Sequence, residues 1–437
     1  MLISLFTPTH NTQFLGETYS SLLAQTCGDW EWVIVPNDPA KSGKAIVPEA
    51  IARDPRVKIF PAPDMVARLG VGALKRFACE RATGSYLVEL DHDDILAPDC
   101  LSEIISTART TGAGFIYSDF ANFLPDGKSG TYNLEHGWTQ YEVEIYGRKY
   151  LAMRSFPPTP DALVSIYYAP NHVRAWSREA YWRAGGHDPS FRVADDHDLI
   201  TRTYLTGCGF HHIEKCLYLY RMHEGGGNTY IQHNAEIVAR TQQIGQRDIG
   251  AIVAQWCAQN NLPMLDLGGA HNRTPGYLAV DLDGGDVNCD IRFGLPYADN
   301  SVGCIRAYDF LEHINHCPDS TCTHGNDGKS AKCVVGIMNE CYRVLAPGGW
   351  MLTRTPSTDG RGAFQDPTHV SFWNPNSFWY YTRREQANFV RGIHCRFQGN
   401  RIWQDYPSEW HKTHNILYVY ANLVALKGQR VAGVCEI

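Results

Sequence analysis

The chain has no apolar run approaching the about eighteen residues that a membrane-crossing helix needs, no internal repeat and no low-complexity tract. Those absences exclude an apolar helical span, a solenoid and a disordered scaffold. Charge of one sign is also scarce: 39 Lys and Arg against 46 Asp and Glu leave a formal charge of -7. No global field would gather a polyanion, so broad nucleic-acid binding is disfavoured. The 14 cysteines form no regular framework and no Cys-x-x-Cys, which matches reduced thiols better than a secreted disulfide scaffold. The opening MLISLFTPTH carries a short apolar stretch without a basic leader and does not read as a signal peptide. Together these predict a cytoplasmic protein.

What is present is core material. At 437 residues, 44% hydrophobic, with 11 Trp, 23 Tyr and 17 Phe, the chain exceeds one core and suits two compact domains. Short apolar runs alternate with helical patterns, which predicts an α/β fold with largely parallel sheets. Leu2 to Pro8, Trp32 to Pro36, Val57 to Pro61, Tyr86 to Asp91 and Phe115 to Asp119 read as strands. Leu15, Tyr19, Leu22 and Leu23 share one face of a helix between the first two. A helical stretch ends at Asn260-Asn261-Leu262-Pro263, after which a second α/β pattern begins. The expected division is a first domain over 1–232, a helical linker over 233–262 and a second domain over 263–437.

YLVELDHDDIL sets Asp91, Asp93 and Asp94 at the end of an apolar strand. Like charges this close are costly without a cation or solvent, so the run is either a solvated acidic turn or a site for Mn²⁺ or Mg²⁺ bridging phosphates. Its surroundings point to the second. In order the chain carries PTHN from Pro8, VPND ending at Asp38, GALKRFACERATGSYLVELDHDD, GGHD with ADDHDL, and YRMH. Over almost all of residues 1–225 this resembles the family 2 inverting glycosyltransferases of the GT-A fold.

The resemblance implies that Thr7, Pro8 and Asp38 line the pocket of a nucleotide-diphospho-sugar donor and that Asp91, Asp93 and Asp94 form the metal-diphosphate site. It implies that Asp196, with Asp195 beside it, is the base that deprotonates the acceptor. Both acids also suit helix N-capping. Lys75 and Arg76 replace part of the family's usual Ala-Arg-Asn stretch, so Lys75 is either a diphosphate ligand or a surface cation. Arg221 and His223 in YRMH would clamp the diphosphate or complete the metal shell, and Gly225 to Gly227 would form a closing loop; His223 reads equally as a surface histidine. PNHVRAW offers His172 and Trp176 as sugar contacts or as core.

In the second half, LDLGGA gives Asp266, Gly268 and Gly269 after one strand, YLAVDL gives Asp281 at the end of the next, and Asp290 follows. A glycine turn plus an acid on the neighbouring strand is how a Rossmann-like fold takes a nucleoside. With LEH at Leu311 to His313 and the Pro347-Gly348-Gly349 turn, the stretch 263–380 is similar to class I S-adenosylmethionine (SAM) methyltransferases. Ala270 replaces the second motif glycine, so a degenerate, structural Rossmann domain is the alternative. The resemblance implies that Asp266, Gly268, Gly269, Asp281 and Asp290 hold SAM. His369 in GAFQDPTHVSFW is the candidate base for the methyl acceptor.

Between them, HINHCPDSTCTHGNDGKSAKC holds Cys317, Cys322 and Cys333. With His316 or His324 these make a Zn²⁺ set, or they are unpaired thiols in a polar loop. The expected function is a bifunctional enzyme: metal-dependent, inverting glycosyl transfer and SAM-dependent methylation of a sugar or related acceptor. The alternative is an active glycosyltransferase whose second domain only binds the acceptor, which is a glycan, a protein or a modified nucleobase.

Overall fold

The computed structural model describes residues 1–37, 47–131, 134–167, 169–318, 321–428 and 430–433. The chain divides into two compact units, Met1–Ile252 and Val253–Ile437. The division falls inside a single helix, Asn234–Gln259, over the stretch read from sequence as a helical linker.

The first unit is built on a mixed sheet. Its strands are β1 (Ile3–Thr9), β2 (Trp30–Pro36), β3 (Val57–Ile59), β4 (Tyr86–Glu89), β5 (Ile95–Leu96), β6 (Phe115–Phe123), β7 (Gln140–Ile145), β8 (Arg148–Met153), β9 (Arg174–Ser177) and β10 (Phe210–Arg221). The sheet runs β3-β2-β1-β4-β9-β6-β10-β5, with the β7–β8 hairpin joined to β6 through β8. β1 to β4 are mutually parallel, as the alternating pattern predicts, and β2 is buried along its whole length, which is why WEWVIVP reads as one apolar run.

β9 enters antiparallel between β4 and β6. Val88 pairs with Ala175 in that register, so the residues one step on, Glu89 and Arg174, come side by side where β4 ends and the acidic turn begins. The helices Val71–Cys79 and Asp195–Leu205 supply the remaining walls of the same region.

The second unit has β11 (Met264–Leu267), β12 (Leu278–Asp281), β13 (Val287–Asn288), β14 (Val302–Tyr308), β15 (Leu345–Pro356), β16 (Phe397–Asp405) and β17 (Tyr418–Ala425). Their order is β13-β12-β11-β14-β15-β17-β16; counted within the unit it is 3-2-1-4-5-7-6, and only β17 runs antiparallel to its neighbours. The order reverses between β11 and β14, which creates the crevice at the strands' carboxyl ends where open α/β sheets take ligands. Leu265, Ile305, Ile337, Met351 and Leu423 lie in its core. Across residues 268–277, between β11 and β12, the connection contains no helix.

Candidate active site

A cavity of about 200 Å³ in the first unit gathers residues from distant stretches of the chain: Lys75, Asp91, His172, Arg174, Asp195 and Asp196 all line it. Two buried cations and their acids form its floor. Lys75 is ion-paired with Glu89 and lies 3.1 Å from Asp195. Arg174 is ion-paired with Asp196 and lies 3.2 Å from Glu89. Glu89 therefore sits between the two cations. Burial opposes its ionisation, but Lys75 and then Arg174 outweigh this and bring it down to about 2. Nothing in the local sequence marks Glu89, which lies inside the strand rather than in the acidic run.

Both acids that open the helix Asp195–Leu205 line the cavity, but they are not equally open to it. The Asp196 side chain is 22% exposed, against 4% for Asp195. Asp196 is also held in place, its Oδ1 accepting from the His197 backbone N–H at 2.8 Å. Burial raises its pKa, yet Arg174 and Lys75 prevail and hold the carboxyl well below the usual carboxylate range. Asp195 behaves oppositely: burial pushes it up to about 6 despite Lys75, and the His187 ring lies 3.5 Å away. Neither acid caps the helix through its side chain, since the N-cap position is Ala194.

The structure separates the three acids of the DHDD run. Asp91 lines the cavity, and burial together with Glu89 pushes it up to about 7. Asp93 is hydrogen-bonded to His223 Nε2 at 2.6 Å, both side chains remaining partly exposed. Asp94 is buried, and its Oδ1 accepts from the Arg221 backbone N–H at 2.7 Å. Asp93 and His223 are thus the pair open to a cation, while Asp94 braces the turn against β10.

Arg221 has a structural task in this turn. Its guanidinium donates to the Asp93 carbonyl at 2.7 Å and to Glu17 at 2.8 Å, and it lies over the Phe14 ring. Lys75 is no surface cation: it is buried and its charge faces two acids, because the helix Val71–Cys79 packs on the sheet through that face. Thr7 is buried, its hydroxyl donating to the Leu90 carbonyl and accepting from the Trp32 indole, so its side chain faces the interior. Pro8 is half-buried, and Asp38 lies outside the described residues.

Trp176 is not a sugar contact. It is wholly buried on β9 against Phe115 and donates to Thr203. His172 does line the cavity, stacked on Tyr218 at 4.5 Å, with its Nδ1 buried and lacking a hydrogen-bond partner among the described residues. Burial and the Arg174 charge hold its ring at about 3, so it is neutral and offers hydrogen bonding rather than charge.

In the second unit the carboxyl ends of β11 and β12 bring Gly268 to Ala270 beside Asp281, whose carboxylate accepts from the Ala270 N–H at 3.2 Å. Gly268 takes a positive φ of 75°, a left-handed conformation in which a side chain is strained. A Cβ at Gly269 would press on Asp266. Asp266 itself is buried and committed to Arg306, with bonds of 2.8 and 2.7 Å, and to Thr274 at 2.6 Å. Asp290 is drawn into its own 3-10 turn by Arg292, at 2.9 and 2.7 Å.

His369 lies with its ring 5.1 Å from that of His313, and these two with Glu312 bring their ligand atoms within 4.8 Å of one another. In the sequence Glu312 stands out only as the middle of Leu311-Glu312-His313. Burial pushes it up to about 7, and its Oε1 is buried without a hydrogen-bond partner among the described residues.

Residues 4–165 match the family described as glycosyl transferase family 2. The O-antigen biosynthesis protein RfbC of Myxococcus xanthus is 27% identical over 224 residues, which is 50% of this chain and 16% of that protein. The chondroitin synthase of Pasteurella multocida is 24% identical over 239 residues, 53% of this chain and 22% of that protein. The chain thus spans under a quarter of the length of these curated relatives. Among solved structures, S. aureus TarS 1-349 aligns with a TM-score of 0.40 at 14% identity, covering 63% of this chain and 76% of that one. The family match holds β1 to β8, with Lys75, Glu89 and the acidic turn, and stops short of Arg174, Asp195, Asp196 and His223. The first unit of this α/β chain therefore carries a family 2 glycosyltransferase domain.

Proposed function

We propose that the first unit transfers a glycosyl group, with inversion, from a nucleotide-diphospho-sugar to an acceptor hydroxyl, with Asp196 as general base. The observation that carries this reading is the one cavity onto which Asp91, Lys75, Arg174 and Asp196 converge from four separate elements. Asp196 alone among its buried acids combines exposure, fixed orientation and a carboxyl kept ionised. It takes the acceptor hydroxyl's proton as that oxygen bonds to the anomeric carbon and the bond to the diphosphate breaks. Arg174 holds the carboxylate's direction, and His172 offers the acceptor a neutral hydrogen-bonding ring.

The Asp93 carboxylate suits either Mn²⁺ or Mg²⁺ and leaves sites for phosphate; the His223 imidazole beside it favours Mn²⁺, because Mg²⁺ prefers oxygen donors. Bound there, the cation supplies positive charge to the departing diphosphate. The O-antigen biosynthesis protein and the chondroitin synthase among its relatives are named for polysaccharides, which favours a glycan over a protein or nucleobase acceptor. The test is a panel of nucleotide sugars with Mn²⁺, read by thermal shift and by release of nucleoside diphosphate. One donor should raise the melting temperature and turn over. Asp196→Asn should keep the shift and lose the release. A panel in which no donor does either sinks the proposal.

For the second unit we propose SAM binding at the carboxyl ends of β11 and β12 and methylation of a sugar or related acceptor. The strand order, the left-handed Gly268 and the placement of Asp281 support it. Bound there, SAM would supply an electrophilic methyl group, and our candidates to take the acceptor's proton are Glu312 and His369, whose side-chain ligand atoms lie within 4.8 Å of one another. A second reading is an acceptor-binding module without methyl transfer. The helix-free connection after Gly268, and the commitment of Asp266 and Asp290 to arginines, favour it. Calorimetry decides: saturable SAM binding weakened by Asp281→Ala supports methylation, and absence of binding supports the module.

A further inference from the structure

The insert between β14 and the helix Val334–Val344 folds back on itself so that Cys317, Cys322, His324 and Cys333 present one atom each within 4.8 Å of one another. Cys317 Sγ lies 3.2 Å from Cys333 Sγ and 3.4 Å from His324 Nδ1; Cys333 Sγ lies 3.9 Å from Cys322 Sγ and 3.1 Å from His324 Nδ1. Zn²⁺ bonds of about 2.3 Å to sulfur and about 2.0 Å to nitrogen give tetrahedron edges of about 3.8 and about 3.5 Å. The four separations fall within about 0.6 Å of those edges, on the short side for three of them. No pair approaches the about 2.0 Å of a disulfide.

The surroundings are those of a metal ligand set. His324 Nε2 is hydrogen-bonded to the Arg391 carbonyl at 2.7 Å, which turns Nδ1 toward the sulfurs, the arrangement by which an outer partner orients a metal-binding ring. His324 is buried and adopts a left-handed backbone, φ 54°, uncommon for a residue with a side chain. Gly392, at φ 89°, lets the 391–392 backbone close over that ring, since a Cβ there would press on it, 2.6 Å from Nε2. His316, the other histidine at this spacing, is not in that cluster, and its Nε2 accepts from the Phe372 N–H at 3.2 Å. Cys317, Cys322 and Cys333 also line an open cavity, which gives an ion a path in.

We infer that Cys317, Cys322, His324 and Cys333 bind one Zn²⁺ in a closed, structural Cys₃His site that ties the insert to the segment around Arg391. With four protein ligands there is no open position for substrate, so the ion contributes to folding and not to either transfer reaction. The site also forms part of the wall of an apolar cavity that Cys317 shares with Val334, Phe372, Trp373 and Tyr381.

The test is metal analysis of the full chain purified under reducing conditions, with Co²⁺ exchange on the unmodified protein. One Zn²⁺ per chain is expected, and Co²⁺ should show tetrahedral d–d bands with thiolate charge transfer. Cys322→Ser and His324→Ala should weaken Zn²⁺ by at least about 100-fold, while His316→Ala should leave stoichiometry and affinity unchanged. An unmodified chain without Zn²⁺ and without the Co²⁺ bands overturns the site. So does a disulfide within the cluster, or loss of metal through His316→Ala rather than His324→Ala.

Discussion

Lys75→Met removes one of the two cations under the cavity while keeping a flexible side chain of similar length. Lys75 is buried, bound to Glu89 and 3.1 Å from Asp195, so the substitution leaves Asp195 without its cation and Glu89 with Arg174 alone. Breaking a buried ion cluster at one partner costs about 3–5 kcal/mol. The cost must depend on pH. Asp195, already up to about 6, rises further above its unfolded value when Lys75 is gone, and Glu89 climbs from about 2. The folded variant then holds protons that the unfolded chain has released. Its stability falls as pH rises, by about 1.4 kcal/mol per pH unit for each retained proton. The deficit against the parent should be smallest near about pH 5 and largest near about pH 8. Hydrogen exchange of the amides in β1 and β4 reads the opening energy of this unit separately from the other. A deficit under about 1 kcal/mol throughout, or one that grows as pH falls, would refute the buried network.

Asp196→Asn should lower glycosyl-transfer turnover by about 10²–10⁴-fold with donor affinity retained, measured by nucleoside diphosphate release; a loss below tenfold would remove Asp196 from the base role. His223→Ala should raise the Mn²⁺ concentration for half-maximal activity at least about tenfold, because Asp93 keeps only half of its pair; an unchanged Mn²⁺ titration argues against that pair. Glu312, pushed up to about 7, binds its proton more tightly folded than unfolded, so it lowers stability as pH rises from about 4.5 toward 7. Glu312→Gln should flatten that slope in thermal melts of the second unit, and an unaltered slope would mean that Glu312 does not titrate there.

The sequence by itself determined the α/β class, the positions of β1 to β4 and the start of β6, and the chemistry on offer, because alternation of apolar runs and a carboxylate cluster at a strand end are local properties. The acidic turn and the Asp195-Asp196 pair were also legible, though not which member is the more exposed. That depended on tertiary structure: the helix start at Ala194 buries Asp195 under Lys75 and leaves Asp196 at the surface beside Arg174. Arg174 itself was hidden between His172 and Trp176, more conspicuous residues of the same segment. Its role follows from β9 running antiparallel to β4 in a register that sets it against Glu89, and a register between strands 85 residues apart is written nowhere in the local pattern. The same holds for the cysteine insert. Its spacing left two histidines open, and only the backbone closing over His324 at Arg391 and Gly392 chose between them, since a ligand is selected by direction in space and not by distance along the chain.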